Sequence, residues 1–180
     1  MDTKIQFKDD NLKNGVLYEM QRQSVVDKSV KDITENDALK VTELNLDNKH
    51  ISSLEGIEKF KDLTTLDLGS NQISDITPLK SLTNLSWLYL NHNKISDITP
   101  LKSLTNLKQF SADYQIITLR PESLKVGLVK WIKGFGNIKF KLDENIVGGV
   151  LTYKKELQNP YVVYAQDGDS YSATIKVYFF

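Results

Sequence analysis

The chain has 180 residues, room for one or two domains with a sizeable core, and its 23 Lys and Arg balance 23 Asp and Glu. A net charge of zero argues against a nucleic-acid partner, because such binders carry a basic footprint that displaces counterions from phosphates. The absence of cysteine excludes disulfide frameworks and thiolate metal sites and leaves the redox compartment open.

The opening "MDTKIQFKDD" has no apolar signal core, so an export leader would have to lie outside this sequence. No apolar run approaches the ~20 residues needed to cross a bilayer, and membrane insertion is not expected. In "DDNLKNGVLYEM", Leu12, Val16 and Met20 fall at helical spacing behind Asp9 or Asp10 as a cap, with Gly15 weakening the helix. "TENDAL" adds Thr34 and, three residues on, Asp37, a weaker form of a capping box. Residues 1–40 read as a helical N-terminal cap.

From residue 41 the chain is periodic. "ISDITPLKSLTNL" stands at residues 73–85 and again at 95–107, a shift of 22 positions. Repetition at that period marks a stacked solenoid, in which each coil offers the same packing face to the next. Two full copies, residues 63–84 and 85–106, spell LxxLxLxxNxIxxIxPLxxLxN, a leucine-rich repeat. A divergent copy precedes them at 41–62, with Lys49 at the asparagine phase. Another begins at Leu107, with Gln115 at that phase, and loses the pattern at Arg120 and Pro121.

Within a copy, Leu66 and Leu68 alternate on a short strand and point inward, while Thr65 and Asp67 point out. Asn71 and Asn93 stand where the strand ends. A buried amide there can donate to and accept from backbone groups otherwise unpaired, so the pair is expected to form a structural asparagine ladder. Ile73, Ile76, Leu79 and Leu82 recur every third residue, as a tight three-residue turn requires. Thr77-Pro78 and Thr99-Pro100 would open that turn, threonine capping and proline taking the first helical position.

After Pro121 the pattern becomes short alternating runs. Ile138, Phe140 and Leu142 alternate with lysines, as do Tyr171, Ala173, Ile175, Val177 and Phe179 with other residues. "QDGDS" signals a turn between a strand at 161–165 and the last one, a hairpin. The expected fold class is therefore α+β: a helical cap (1–40), a short leucine-rich-repeat solenoid of three to four coils (41–119), and a small β-sandwich, immunoglobulin-like, at 120–180. "ESLKVGLVKWIKGF" fits a helix as well as a strand. Its lysines beside Val126, Val129, Trp131 and Ile132 fit either a basic membrane-facing surface or, more ordinarily, packing into the second domain.

No GxSxG, HExxH, P-loop or dinucleotide fingerprint occurs, so no catalytic residue, cofactor or metal is expected. His50 and His92 lie at different phases and make no ligand cluster. "DGD" at 167–169 lacks the further ligands of a calcium loop. The repeat phase instead points to the outward side of the strands: Glu43 and Asn45, Asp67, Trp87 and Tyr89, His92, Asp113 and Tyr114. Trp87 and Tyr89 are expected to project together beside Asp67 and Asp113, as aromatic anchors of a partner-binding face about 15 to 20 Å across. The alternative is a Trp87 ring covered by the cap or the C-terminal domain.

The repeats "LTTLDLGSNQISDITPLKSLTN" and "LSWLYLNHNKISDITPLKSLTN", with "DITENDALKVTELNL" and "ISSLEGIEKFKD" before them, resemble those of internalins and internalin-like surface proteins of Gram-positive bacteria. The junction "FSADYQIITLRP" is similar to the passage from solenoid to immunoglobulin-like domain in that family. The resemblance implies a secreted or cell-surface, non-enzymatic protein that binds a protein, such as a host receptor, or a glycan on its concave sheet, with adhesion or virulence as its context. A monomer is expected. The competing class is an intracellular scaffold resembling short-repeat regulators of a protein phosphatase. A third, an enzyme carrying the repeats as a targeting arm, would need catalytic residues within 120–180, where no such constellation is seen.

Overall fold

In the computed structural model of the chain, the residues described are 2–95 and 98–119, with strands at 125–126, 146–147, 150–152, 161–167 and 171–179. Helix α1 (Asp10–Arg22) buries Leu12, Val16 and Met20 along one stripe. Of the two aspartates offered as its cap, Asp9 serves: its Oδ1 accepts from the amides of Asn11 (2.8 Å) and Leu12 (3.4 Å). Gly15 has a positive reason to be in the helix. A Cβ there would stand 3.0 Å from Leu46 Cδ2, so the glycine lets α1 come close to the first coil. Helix α2 (Glu35–Ala38) begins with the full capping box: the Asp37 amide donates to Thr34 Oγ1 and the Thr34 amide to Asp37 Oδ2.

Strands β1 (Glu43–Asn45), β2 (Thr65–Asp67), β3 (Trp87–Tyr89) and β4 (Gln109–Leu119) pair side by side in parallel. Their register advances by one repeat per strand, which puts Leu44, Leu66, Leu88 and Phe110 in one row. The rows at the other apolar phases, such as Leu46, Leu68 and Leu90, or Ile51, Ile73 and Ile95, are buried too, in a single core with α1 and Ile33. Burying a side chain of this size stabilises by about 1.5–3 kcal/mol, and no coil could do it without its neighbour. This is a leucine-rich-repeat solenoid with a parallel sheet and few helices.

The return of each coil is a 3-10 turn: Ile57–Lys59, Thr77–Ser81 and Thr99–Ser103. The expected threonine cap does not form. Thr77 and Thr99 are the first helical residues of their turns, behind the N-cap residues Ile76 and Ile98, whose side chains make no cap bond. Asp75 takes the task in the first of them, its Oδ1 accepting from the Thr77 amide at 2.8 Å, because a carboxylate two residues ahead reaches the turn's orphan donor.

At the strand ends, Asn71 Oδ1 accepts from the amides of Lys49 and Ile51, while its Nδ2 shares two hydrogens among the carbonyls of Leu46, Leu68 and Gly69. Asn93 repeats this with Ile73, Leu68, Leu90 and Asn91. Gln115 continues the series one coil later: its Oε1 accepts from Ile95 and its Nε2 donates to Leu90. A second column was not anticipated. Asn84 and Asn106, at the end of each repeat, donate to the carbonyls of Lys61 and Thr83 in the coil before.

The sheet continues beyond β4. Three short strands, β5 (Lys125–Val126), β6 (Ile146–Val147) and β7 (Val150–Thr152), form a separate antiparallel sheet. Strand β8 (Tyr161–Asp167) pairs antiparallel with β9 (Tyr171–Phe179), the expected hairpin, and β9 runs parallel beside β4. The strand order is β1-β2-β3-β4-β9-β8. Five spacings of ~4.8 Å make this sheet about 24 Å wide, more than four coils alone provide. Residues 125–126 are strand, not helix, while the alternation at Ile138, Phe140 and Leu142 and the stretch around Trp131 lie outside the described residues.

Candidate functional site: the outward ribbon of the parallel sheet

A strand three residues long with its centre buried must turn its flanking side chains to the other face. β1 and β3 do so: Leu44 and Leu88 are buried, while Glu43, Asn45 and Trp87 are exposed and Tyr89 is half-buried. The register sorts these outward residues into rows. One runs Glu43, Thr65, Trp87, Gln109, the next Asn45, Asp67, Tyr89, Ser111. Trp87 keeps 42% of its surface exposed directly beside the fully buried Leu88.

Asp67 therefore stands next to Tyr89. Asp113 belongs to the next coil, where Ser111 is the register partner of Tyr89. It lies two residues past Ser111, within a polar cluster in which Ser111 Oγ is 2.6 Å from Asn91 Oδ1 and 3.0 Å from Asp113 Oδ2, and the Asp113 amide donates to Asn91 Oδ1.

Past the strands a third feature emerges that repeat phase alone does not announce. Asn48, Ser70, His92 and Tyr114 sit one repeat apart, and each has a positive φ between 53° and 59°. Each left-handed residue precedes the residue at the asparagine phase, and it bends the strand end there. Their backbones are tied across the coils, Asn48 N to Gly69 O (3.0 Å), Ser70 N to Asn91 O (2.8 Å) and His92 N to Asp113 O (2.8 Å). The fixed column brings the His92 and Tyr114 rings face to face, centroids 4.6 Å apart and 8° from parallel. Tyr114 is 48% exposed. The signal for this pair in the sequence is only that two rings share a phase.

The acidic part of the ribbon is crowded. A Cβ on Gly69 would meet Asp47 Oδ1 at 2.7 Å and Asp67 Oδ1 at 3.2 Å, so this glycine leaves the gap that two carboxylates lean into. Asp67 Oδ1 accepts from the Gly69 amide at 2.9 Å. Burial pushes the Asp67 carboxyl up, the Gly69 hydrogen bond pulls it down and the charge of Asp47 pushes it up again, leaving it above the usual carboxylate range.

Among the described residues no group of three or more His, Asp or Glu is arranged to hold a metal ion, and no helix is long and apolar enough to cross a membrane. His50 and His92 are both exposed.

Comparison with known proteins agrees with the repeats. The family described as "Leucine Rich repeats (2 copies)" matches residues 40–81 and 83–124. Among solved structures, an internalin (InlF) of Listeria monocytogenes is 32% identical with a TM-score of 0.58, over 66% of this chain and 34% of its own. Internalin C2 of the same organism is 28% identical with a TM-score of 0.52, over 58% of this chain and 45% of its own. The chain thus spans between a third and a half of the length of these internalins. The comparison with curated proteins finds no match. Repeats, register and neighbours together make this chain an internalin-like leucine-rich-repeat protein.

Proposed function

We propose that the chain is the non-enzymatic, monomeric binding module of a bacterial surface or secreted protein, and that it holds a macromolecular ligand, a protein or a glycan, on the outward ribbon of its parallel sheet. In this reading residues 1–40 close one end of the solenoid, residues 41–119 present the ribbon and residues 120–180 form an immunoglobulin-like support. Trp87 and Tyr89 are the anchors, flanked by Glu43, Asn45 and Asp67, with His92, Tyr114 and Asp113 at the far side. Adhesion to a host cell is the corresponding role.

The observation that carries the reading is Trp87 itself. Its ring stays 42% exposed on a strand whose central leucine is completely buried, and nothing in the packing of the core requires an indole there. Large aromatic side chains kept in water at the centre of a polar face are the usual anchors of an interface.

The test is capture of ligand from host-cell or bacterial extracts by wild type beside Trp87→Ala/Tyr89→Ala, with thermal unfolding of both. Losing anchors of this kind costs about 2 kcal/mol or more, a roughly thirtyfold weaker complex, while exposed positions shift stability only slightly. Capture lost with folding intact supports the reading. Undiminished capture, or a collapse of thermal stability, overturns it.

A further inference from the structure

The ribbon carries charge of one sign in a chain that carries none overall. Its sixteen outward and strand-end positions are 43, 45, 47 and 48 and their equivalents in the next three coils. They hold Glu43, Asp47, Asp67 and Asp113 and not one Lys or Arg, although the chain has 23 of each sign. Glu43, Asp47 and Asp67 take part in none of the ion pairs among the described residues, whereas Asp32, Asp37, Glu19, Glu35 and Glu55 all do. Glu43, Asp47 and Asp67 lie on the first two coils, Asp113 on the fourth, and the rings of Trp87, Tyr89, His92 and Tyr114 on the third and fourth. They meet in one row, where Asp67 is the register partner of Tyr89; in the other, Thr65 stands between Glu43 and Trp87.

We infer that the ribbon's ligand is a protein segment bearing arginine or lysine side chains, each cation set between the carboxylates of Glu43, Asp47 and Asp67 and the faces of Trp87 and Tyr89. The inference rests on the reading that this face binds. A guanidinium can stack on an aromatic face and pair with a carboxylate in the same pose. A cation also relieves the repulsion that Asp47 and Asp67 exert on each other across Gly69, a gain that a neutral sugar cannot provide. Unpaired charge of one sign on a binding face further steers an oppositely charged partner towards it.

Titration calorimetry with a blocked hexa-arginine peptide tests this, with hexa-glutamate and a chitosan oligomer as comparators, at low and raised salt. Hexa-arginine is expected to bind wild type, weakly enough to be lost as salt screens the ribbon, and to bind about tenfold less well to Glu43→Gln/Asp47→Asn/Asp67→Asn. Trp87→Ala/Tyr89→Ala weakens it severalfold, and Asp10→Asn/Asp62→Asn, two exposed carboxylates off the ribbon, leaves it unchanged. Thr65→Lys reproduces the triple variant's loss with every carboxylate in place, which covers a failure of the triple variant to fold. No binding of hexa-arginine, equal loss in the control pair, or tighter binding of the chitosan oligomer overturns the inference. A natural ligand that needs Trp87 and Tyr89 but is indifferent to the three carboxylates would sink this inference alone and leave the proposed function standing.

Discussion

Asp67 shows how one residue can serve a surface against the interest of the fold. Its carboxyl is held above the usual range by burial and by Asp47, against the pull of the Gly69 amide, so ionising it costs more in the folded chain than in the unfolded one. A raised folded-state value means that the charged form destabilises the native state. The penalty is fully present above the folded pKa and disappears below the unfolded one, through the acid range just above ordinary aspartate. Asp67→Asn, whose amide oxygen can still accept from Gly69, is therefore expected to raise the thermal midpoint slightly at neutral pH. The gain should vanish at acid pH, and an unfolding series across pH reads it directly. A midpoint lowered at neutral pH would show that the Gly69 hydrogen bond outweighs the repulsion. Gln115 teaches a different lesson at the same scale: one methylene longer than asparagine, it still bonds Ile95 and Leu90 as Asn93 bonds Ile73 and Leu68. The amide matters there, and the repeat tolerates the longer side chain.

Among the elements, α1 packs on the solenoid through its apolar stripe, and one carboxylate both caps the helix and bonds the first coil. Asp9 Oδ1 caps the helix, and its Oδ2 accepts from the Ser52 amide (2.7 Å), the Ser52 hydroxyl (2.8 Å) and the Ser53 amide (3.1 Å) in the first coil. Burial pushes this carboxyl up, but the bonds from Ser52, Ser53 and Asn11 more than offset it and leave it below the usual range. Asp9→Ala removes a helix cap and leaves the buried Leu12 amide and several part-buried donors without their carboxylate, and is expected to cost about 2 kcal/mol. Because the folded value is depressed, this stability is present above the unfolded pKa and fades as pH falls through the folded one. The stability gap between wild type and Asp9→Ala, read by chemical denaturation, should thus narrow at strongly acid pH. A constant difference at all pH values would mean the loss is one of packing.

Much at this level could be read in the residues. The 22-residue spacing specified the strand register, since a leucine is buried in the solenoid only when the neighbouring coil offers one at the same phase. The helix stripe and the capping box were equally local. What escaped were the features decided between coils. The left-handed column is hidden because Asn48, Ser70, His92 and Tyr114 share no residue type, only a backbone geometry imposed by the turn. Thr77 could not be told as the first helical residue, rather than the cap, without knowing that Asp75 would accept from its amide. Gly15 looked like a weakness because its neighbour, Leu46, is thirty-one residues away in sequence.

Across the whole molecule, the sheet and its charge are the features that matter to a partner. The β9 strand extends the parallel edge past the last repeat, something no repeat count foretells, because alternation shows that a segment is a strand but not which edge it joins. The facing of Trp87 and Tyr89 could be inferred from phase. The polar cluster that joins Asp113 and Ser111 to Asn91 could not, as it depends on the coil before. Both proposals stand on one geometry, a ribbon of rings and carboxylates held in register above a row of hidden leucines. Hydroxyl-radical footprinting of the free protein in solution tests that geometry most directly. Trp87 and Tyr114 should oxidise rapidly, with Leu66, Leu88 and Phe110 protected until the chain unfolds. Protection of Trp87 equal to that of Leu88 would contradict it.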